Sequence, residues 1–214
     1  MSLQSVLRLG ARIFLVRRKL VFEAGLDELR PAEARVPARF MSGNQNDLPR
    51  MSEAVHDYDA PAQEFALERL RAGDRLTLAE SGNQIVFYSW LMFGQLDMGM
   101  RRYLPISSDT AYLYRLFTVA AYRGRRLAAA YFWLIRDQLR QQNMQRVVSW
   151  VEARNRVSRR AFEAAGFREI GCIWHVQVFF RTYFLISPTL RARLRENISV
   201  AEAPAAPAKA AQQA

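Results

Sequence analysis

The sequence predicts an α+β fold, a mixed and mostly antiparallel sheet flanked by helices. Three observations predict it. Two helical patterns come early, followed by a pair of strands, so helix and strand do not alternate regularly in the first half. The turn cluster Ser81-Gly82-Asn83 joins two apolar runs, which is a hairpin signal. Across residues 111–151 a strand, an amphipathic helix and a second strand follow in order. That is a βαβ crossover, whose strands are neighbours and parallel at one end.

Residues 1–35 form a basic amphipathic extension, in which Arg8, Arg12, Arg17, Arg18 and Lys19 interleave with Leu3, Val6, Leu7, Ile13 and Leu15. It reads as a helix to about Val16 and a short strand at residues 20–22. Such a segment suits an anionic membrane surface, the flank of the domain or a partner. It has no long apolar core and no small-residue cleavage site, so it is not read as a signal peptide.

Residues 36–41 read as a strand. Asn46 or Asp47 caps a helix to about Val55, and Pro61 opens a second helix that runs through Arg71 and stops at Gly73. Residues 75–79 and 84–93 are the hairpin strands, and another strand lies at 98–104. After the turn Ser107-Ser108-Asp109 comes an aromatic-rich strand at 111–119. Helical periodicity covers 125–141 through Leu127, Tyr131, Leu134, Ile135 and Leu139. Residues 146–151 are a strand, 158–165 a short helix ended by Gly166, and 168–174 with 176–186 a closing antiparallel pair. The division is thus an extension 1–35, a domain 36–190, and an Ala/Pro-rich tail 191–214 expected to be disordered.

Composition narrows the function classes. The chain of 214 residues is half hydrophobic, enough for a sizeable core. Its formal charge is +11, with 31 basic residues against 20 acidic ones, and only Lys19 and Lys209 are lysines. Arginine forks suit phosphate and carboxylate, so nucleic acid, an anionic membrane or a phosphorylated small molecule could be a partner, and a solvated basic surface is the alternative. No basic–aromatic recognition motif points to specific nucleic-acid binding. Cys172 is the only cysteine, so no intramolecular disulfide forms. With only His56 and His175 as histidines, no metal site is expected. No apolar run approaches the roughly 20 residues of a membrane span, and a cytoplasmic protein, peripheral to a membrane at most, is the expectation.

Chemistry concentrates in residues 116–167. Tyr122-Arg123-Gly124-Arg125-Arg126-Leu127-Ala128 lies between a strand and a helix. A helix N-terminus offers free N–H groups and the positive dipole end, and a glycine there lets backbone approach an anion. Further on come Asn155, Ser158, Phe162, Glu163, Gly166 and Phe167. The two elements together resemble the GNAT superfamily of acyl-CoA N-acyltransferases, with its patterns [RQ]-x-x-G-x-[GA] and N-x-x-[SA]-x-x-x-[YF]-E-x-x-G-F. The resemblance is clear over residues 111–170 and extends by element order over 36–186.

The resemblance implies a sheet with splayed parallel central strands and acetyl-CoA, or another acyl-CoA, as acyl donor. Main-chain groups of Phe117, Thr118 and Val119 would pair with the pantetheine arm, and one amide there would polarise the thioester carbonyl. Arg123, Gly124, Arg125, Arg126, Leu127 and Ala128 would hold the pyrophosphate. Asn155 would hydrogen-bond the arm, and Phe162 would lie near the thioester sulfur. The implied reaction is direct attack of a neutral amine, without a metal. Two positions depart from the pattern. Arg126 stands where the family has a small residue, and Phe162 where many members carry the Tyr that protonates the leaving thiolate. A thiol pKa of about 8.5 lets the thiolate leave without that proton.

The general base stays open among Tyr112, Glu152, Asp97 and His175, with Tyr112 and Glu152 as the catalytic candidates. By alternation Tyr112 and Tyr114 share a strand face with Leu116 and Thr118. Trp90, Phe93, Tyr103, Trp150, Trp174, Phe179 and Tyr183 are candidate walls of an acceptor groove. The acceptor is expected to be a small-molecule amine, such as an amino sugar or amino acid. A longer acyl donor used at a membrane surface and a non-catalytic acyl-CoA or partner-binding role are the alternatives, and a homodimer is compatible with each.

Overall fold

The computed structural model describes residues 14–54 and 60–194. β1 (Phe14–Gly25) and β2 (Arg39–Gly43) precede α1 (Leu48–Ala54) and α2 (Ala60–Arg71). β3 (Arg75–Ser81) and β4 (Gln84–Phe93) form the expected hairpin, and β5 (Gln95–Gly99) with β6 (Arg102–Pro105) a second, separate one. β7 (Thr110–Thr118), α3 (Leu127–Arg140) and β8 (Arg146–Glu152) are the crossover. α4 (Arg156–Ala164), β9 (Arg168–Val178) and β10 (Arg181–Ile186) follow. The 8-stranded sheet has the order β10-β9-β1-β8-β7-β4-β3-β2. Only β7 and β8 pair in parallel among the described strands. This is the mixed α+β sheet that the element order predicts.

The largest correction concerns β1. Residues 14–16 are strand rather than helix, and the short strand expected at 20–22 is a 12-residue one. It lies between β8 and β9, with Lys19 opposite Glu152 on one side and Ile173 on the other. Residues assigned to the extension therefore supply a central strand. Leu20, Val21, Phe22 and Ala24 are all buried, which gives the strand two covered faces and explains why its sequence lacks clean alternation. The helix expected over residues 1–13 lies outside the described residues.

The other end of the domain also shifts. Residues 188–194 are helical and bury Leu190 and Leu194. Arg193 donates to the buried Glu23 carboxylate at 2.7 Å, which ties this segment to β1. The strand expected at 98–104 is the β5–β6 hairpin, whose tip residues Met100 and Arg101 have φ of 53° and 56°. Two successive left-handed residues make a tight hairpin turn, and without Asn or Gly the sequence does not signal it. The closing pair turns at Phe179, not near His175, so β9 runs four residues further than expected. Asn44, rather than Asn46 or Asp47, caps the first helical turn, and Asp47 reaches back to the Asn44 N–H at 2.9 Å.

The sheet has a core on each face. α3 and α4 cover one, with Phe22, Phe87, Tyr131, Phe132, Phe162 and Phe167 packed together. On the other, Met51 and Ala66 of α1 and α2 lie with Trp90, Tyr112 and Tyr114. The motif glycine Gly166 ends α4 at φ 104°, and a Cβ there would meet the Glu28 carbonyl oxygen at 2.1 Å. Its absence of a side chain lets the end of α4 seat against the segment after β1.

Candidate active site

β7 and β8 pair only through residues 110–113 and 146–149. Both strands continue beyond, to Thr118 and Glu152, and there they part. A cavity of about 620 Å3 opens at the gap. Tyr112, Tyr114, Trp150 and Lys19 line its floor, Phe65 of α2 and Tyr103 its walls, and Glu152, Asn155 and Ser158 its rim.

The hairpin over this floor is held by side chains of three strands. Trp150 donates its indole N–H to the Asp97 carbonyl at 2.9 Å, and the Tyr112 hydroxyl donates to the same oxygen at 3.3 Å. Lys19 donates to the Met98 carbonyl at 2.8 Å, and its ammonium lies 3.7 Å from the centre of the Trp150 ring. Burial lowers the Lys19 pKa, opposed by the nearby Asp97 and Glu152 carboxylates.

The aromatic floor is rigid. Tyr112 and Tyr114 stack with centroids 5.5 Å apart, and the Tyr114 hydroxyl donates to Asp74 at 2.5 Å. Asp74 also receives Arg69 through two bonds, at 2.7 and 2.9 Å. Burial raises the pKa of Tyr112 well above the usual phenol value, with the Asp97 and Tyr114 charges acting the same way. Burial and the bond to Asp74 raise that of Tyr114 too. Both phenols are therefore held protonated at neutral pH, so Tyr112, a candidate base in the sequence, is placed instead as a hydrogen donor to the hairpin.

A bulge interrupts β7. Tyr88 faces Phe117 and Trp90 faces Tyr114, so Ser89 alone opposes Arg115 and Leu116. Arg115 takes φ 48°. The extra residue reverses the alternation that would place Leu116 with Tyr112 and Tyr114. Leu116 packs toward the α3 side, and Arg115 reaches Phe65 on the α2 side, 4.5 Å from its ring.

The main-chain groups expected to meet the pantetheine arm are not equivalent. The Val119 N–H donates to the Val86 carbonyl at 3.0 Å, so that amide belongs to the β4–β7 ladder and is not available. Strand alternation turns the main chain of Thr118 the other way, toward the gap. Its carbonyl accepts from Arg123 Nε at 3.2 Å. Phe117 is half-buried and stacks on Tyr88 at 5.4 Å.

The turn before α3 is exposed from Arg123 to Arg126. Gly124 takes φ 75°, and Arg126 holds the N-cap position in a left-handed conformation, φ 60° and ψ 20°. No side chain caps this helix end. The amides of the first turn, at Leu127 and Ala128, are thus left to water or an anion. Arg126 adopts the backbone shape that a glycine would, with its long side chain in solvent.

Asn155 caps α4, its side-chain oxygen accepting the Ser158 N–H at 3.0 Å. Phe162 is buried, 4.8 Å from Phe167 and 5.0 Å from Phe132, and also borders the cavity. Glu152 and Asp97 line the cavity, whereas His175 does not; it stacks on Phe184 at 4.9 Å. Burial, with Lys19 and Arg17 nearby, lowers the His175 pKa against the pull of Glu152. Of the seven candidate groove aromatics only Tyr103 and Trp150 line the cavity; Trp90 is core, and Phe179 and Tyr183 are exposed at the far edge of the sheet. Among the described residues no group of three His, Cys, Asp or Glu side chains is placed to hold a metal ion, and no helix is long and apolar enough to cross a membrane.

The sequence matches the model of the Acetyltransferase (GNAT) family over residues 45–167, more than half of the chain. The chain belongs to the GNAT acetyltransferase family. GNAT structures with the same fold include an acetyltransferase from Colwellia psychrerythraea, 12% identical with a TM-score of 0.56 over 76% of this chain and 55% of that one. A conserved protein of unknown function from Staphylococcus epidermidis ATCC 12228 is 7% identical, with a TM-score of 0.55 over 82% and 67%. A GCN5-related glucosamine N-acetyltransferase region of a fungal multi-domain GH3 beta-N-acetylglucosaminidase is 11% identical, with a TM-score of 0.56 over 79% and 22%. The chain spans about two thirds or less of these proteins, and at such identities the likeness is one of fold. No curated protein matches the sequence.

Lys19 and Arg115 are the cleft residues that sequence reasoning missed. Lys19 lies before the GNAT match, in a segment read as an extension, and no local pattern brings it to Trp150. Arg115 enters the cleft only because of the bulge. The one local signal is a lysine amid arginines, directly before the apolar stretch read as a strand at residues 20–22.

Proposed function

We propose that the protein is an N-acetyltransferase that moves an acetyl group from acetyl-CoA to the primary amine of a small-molecule acceptor by direct attack. The observation that carries this reading is the divergence of β7 from β8 beside an uncapped α3 N-terminus, with two carboxylates in the adjoining cavity. These residues suit the donor. The unpaired edge of β7 at Leu116 and Thr118 offers main-chain groups to an amide-bearing arm. The exposed Arg123, Arg125 and Arg126 and the first amides of α3 suit a pyrophosphate. The Asn155 side-chain nitrogen remains for the arm, since only its oxygen caps α4.

The donor supplies the acyl group, which the amine nitrogen takes as the carbon–sulfur bond breaks. Glu152 is the base we assign. Its carboxylate lines the cavity and has no ion pair or hydrogen bond among the described residues. It takes the amine proton directly or through one water. Asp97 is less free, because its carboxylate accepts the Gly99 N–H at 2.6 Å. Phe162 has no proton to give, so the thiolate leaves unprotonated or takes its proton from solvent.

The test is a screen of amine acceptors with acetyl-CoA, following thiol release, beside calorimetric titration of CoA. Saturable CoA binding and turnover of at least one amine are expected, with kcat falling about 100-fold or more in Glu152→Gln. No CoA binding would overturn the reading; CoA binding without turnover of any amine would leave an acyl-CoA-binding protein.

A further inference from the structure

We infer that the acceptor is an amine that also carries an anionic group, a carboxylate or a phosphate, and that Arg115 is the residue that selects it. The inference rests on the acetyltransferase reading above and adds the acceptor's chemical class.

The cavity has two poles. On the wall built by β8, β1 and the hairpin stand Glu152 and Asp97, with the Lys19 ammonium close to both. The two carboxylates are the groups on that wall suited to a substrate that approaches as an ammonium. On the opposite wall, built by β7 and α2, stands Arg115. Its guanidinium carbon lies over the Phe65 ring, 4.5 Å from the centroid, and the residue lines the cavity. Among the described residues it has no carboxylate partner, whereas the neighbouring Arg101 is engaged by Glu68 at 3.0 Å. Among the described residues Arg115 is thus the one arginine lining this cavity whose fork has no carboxylate partner.

Its placement carries a conformational cost. A non-glycine residue at φ 48° is disfavoured relative to the right-handed region, because its Cβ crowds the following carbonyl oxygen. The bulge that imposes it turns the side chain off the α3 face, where the alternation of β7 would send it, and into the acceptor cavity. The contact with the Phe65 ring then favours this placement of the guanidinium, 4.5 Å from the ring centre. A fork of that kind recognises carboxylate or phosphate through paired charge-assisted hydrogen bonds. A neutral amine of the same size would leave it unmatched.

The experiment uses matched ligands titrated calorimetrically into CoA-saturated protein: phenylalanine against phenylalaninamide, and phosphoethanolamine against ethanolamine. Thiol release with acetyl-CoA is followed in parallel. The anionic member of at least one pair is expected to bind about tenfold tighter or more, as charged hydrogen bonds imply. The pair that shows the preference distinguishes carboxylate from phosphate. In Arg115→Asn, which tolerates the left-handed backbone, the ratio within that pair should fall to within about threefold of unity, with Arg115→Lys intermediate. The circular dichroism spectrum and unfolding midpoint of Arg115→Asn control for folding. Equal binding within both pairs, no binding of any of the four, or an unchanged ratio in the folded Arg115→Asn variant overturns the inference. Failure of the acetyltransferase reading is recognised separately, by loss of CoA binding or by absence of thiol release with every amine of the wider screen.

Discussion

Lys19 holds its ammonium 3.7 Å over Trp150 while donating to the Met98 carbonyl at 2.8 Å. One side chain of a central strand thus joins the strand beside it to the hairpin above the cavity. Burial lowers its pKa from the ordinary 10.5, so the folded protein holds this proton less tightly than the unfolded chain. The sign follows from linkage. At neutral pH the folded state carries the cost of a buried ammonium, and the cost disappears as pH rises from the folded pKa to about 10.5.

Lys19→Met should expose that cost. The variant loses one hydrogen bond but no longer buries a charge, so the stability of Lys19→Met minus wild type should fall as pH rises toward 10.5. Using the difference cancels the titration of Tyr112 and Tyr114, which acts in the opposite sense in that range. Urea unfolding at several pH values measures it; a pH-independent difference would show that Lys19 is not desolvated.

Asp74 should matter more than its hydrogen-bonding partner Tyr114. Asp74→Asn leaves the buried Arg69 without its counter-charge and should cost about 3–5 kcal/mol. Tyr114→Phe removes one hydrogen bond to a charged group and should cost roughly 1.5–3 kcal/mol. Denaturant midpoints for the two variants and the double variant check the order and the coupling.

The observed cap role of Asn155 can be separated from its proposed contact with the donor. Asn155→Ala should lose about 1 kcal/mol of stability with the cap of α4. Asn155→Asp keeps the capping oxygen but not the side-chain N–H, so stability should hold while CoA binds roughly tenfold more weakly. An unaltered CoA Kd in Asn155→Asp would remove this residue from the donor site.

Arg126→Gly separates backbone from charge at the α3 N-terminus. Glycine takes the left-handed shape without strain, so the variant should gain up to about 1 kcal/mol. CoA should bind more weakly, and its Kd should respond less steeply to salt, since one screened guanidinium is gone. Tighter CoA binding in the variant would mean that the arginine obstructs the phosphates.

Legibility in the sequence followed the range of each signal. The α3 and α4 helices, the β3–β4 hairpin and the spacing from Asn155 to Phe167 are written in runs of a few residues, and each is found where the periodicity places it. The β5–β6 hairpin reads as one strand in the sequence because Met100 and Arg101 adopt left-handed shapes that their residue types do not announce. His175 looked like a strand break and is instead an ordinary strand residue, continued by pairing with Arg17 and Phe184.

The sequence by itself determined the family-bearing crossover and the two stretches suited to an acyl donor, because turns, caps and hydrophobic periods are local properties of the chain. Only the tertiary structure decided what lines the cavity. Lys19 meets Glu152 and Trp150 across a strand pairing that spans more than half of the chain, and Arg115 enters the cavity through a bulge set by its mismatch with Ser89 on β4. Such pairings are chosen by the sum of burial over the whole sheet, which no local window contains.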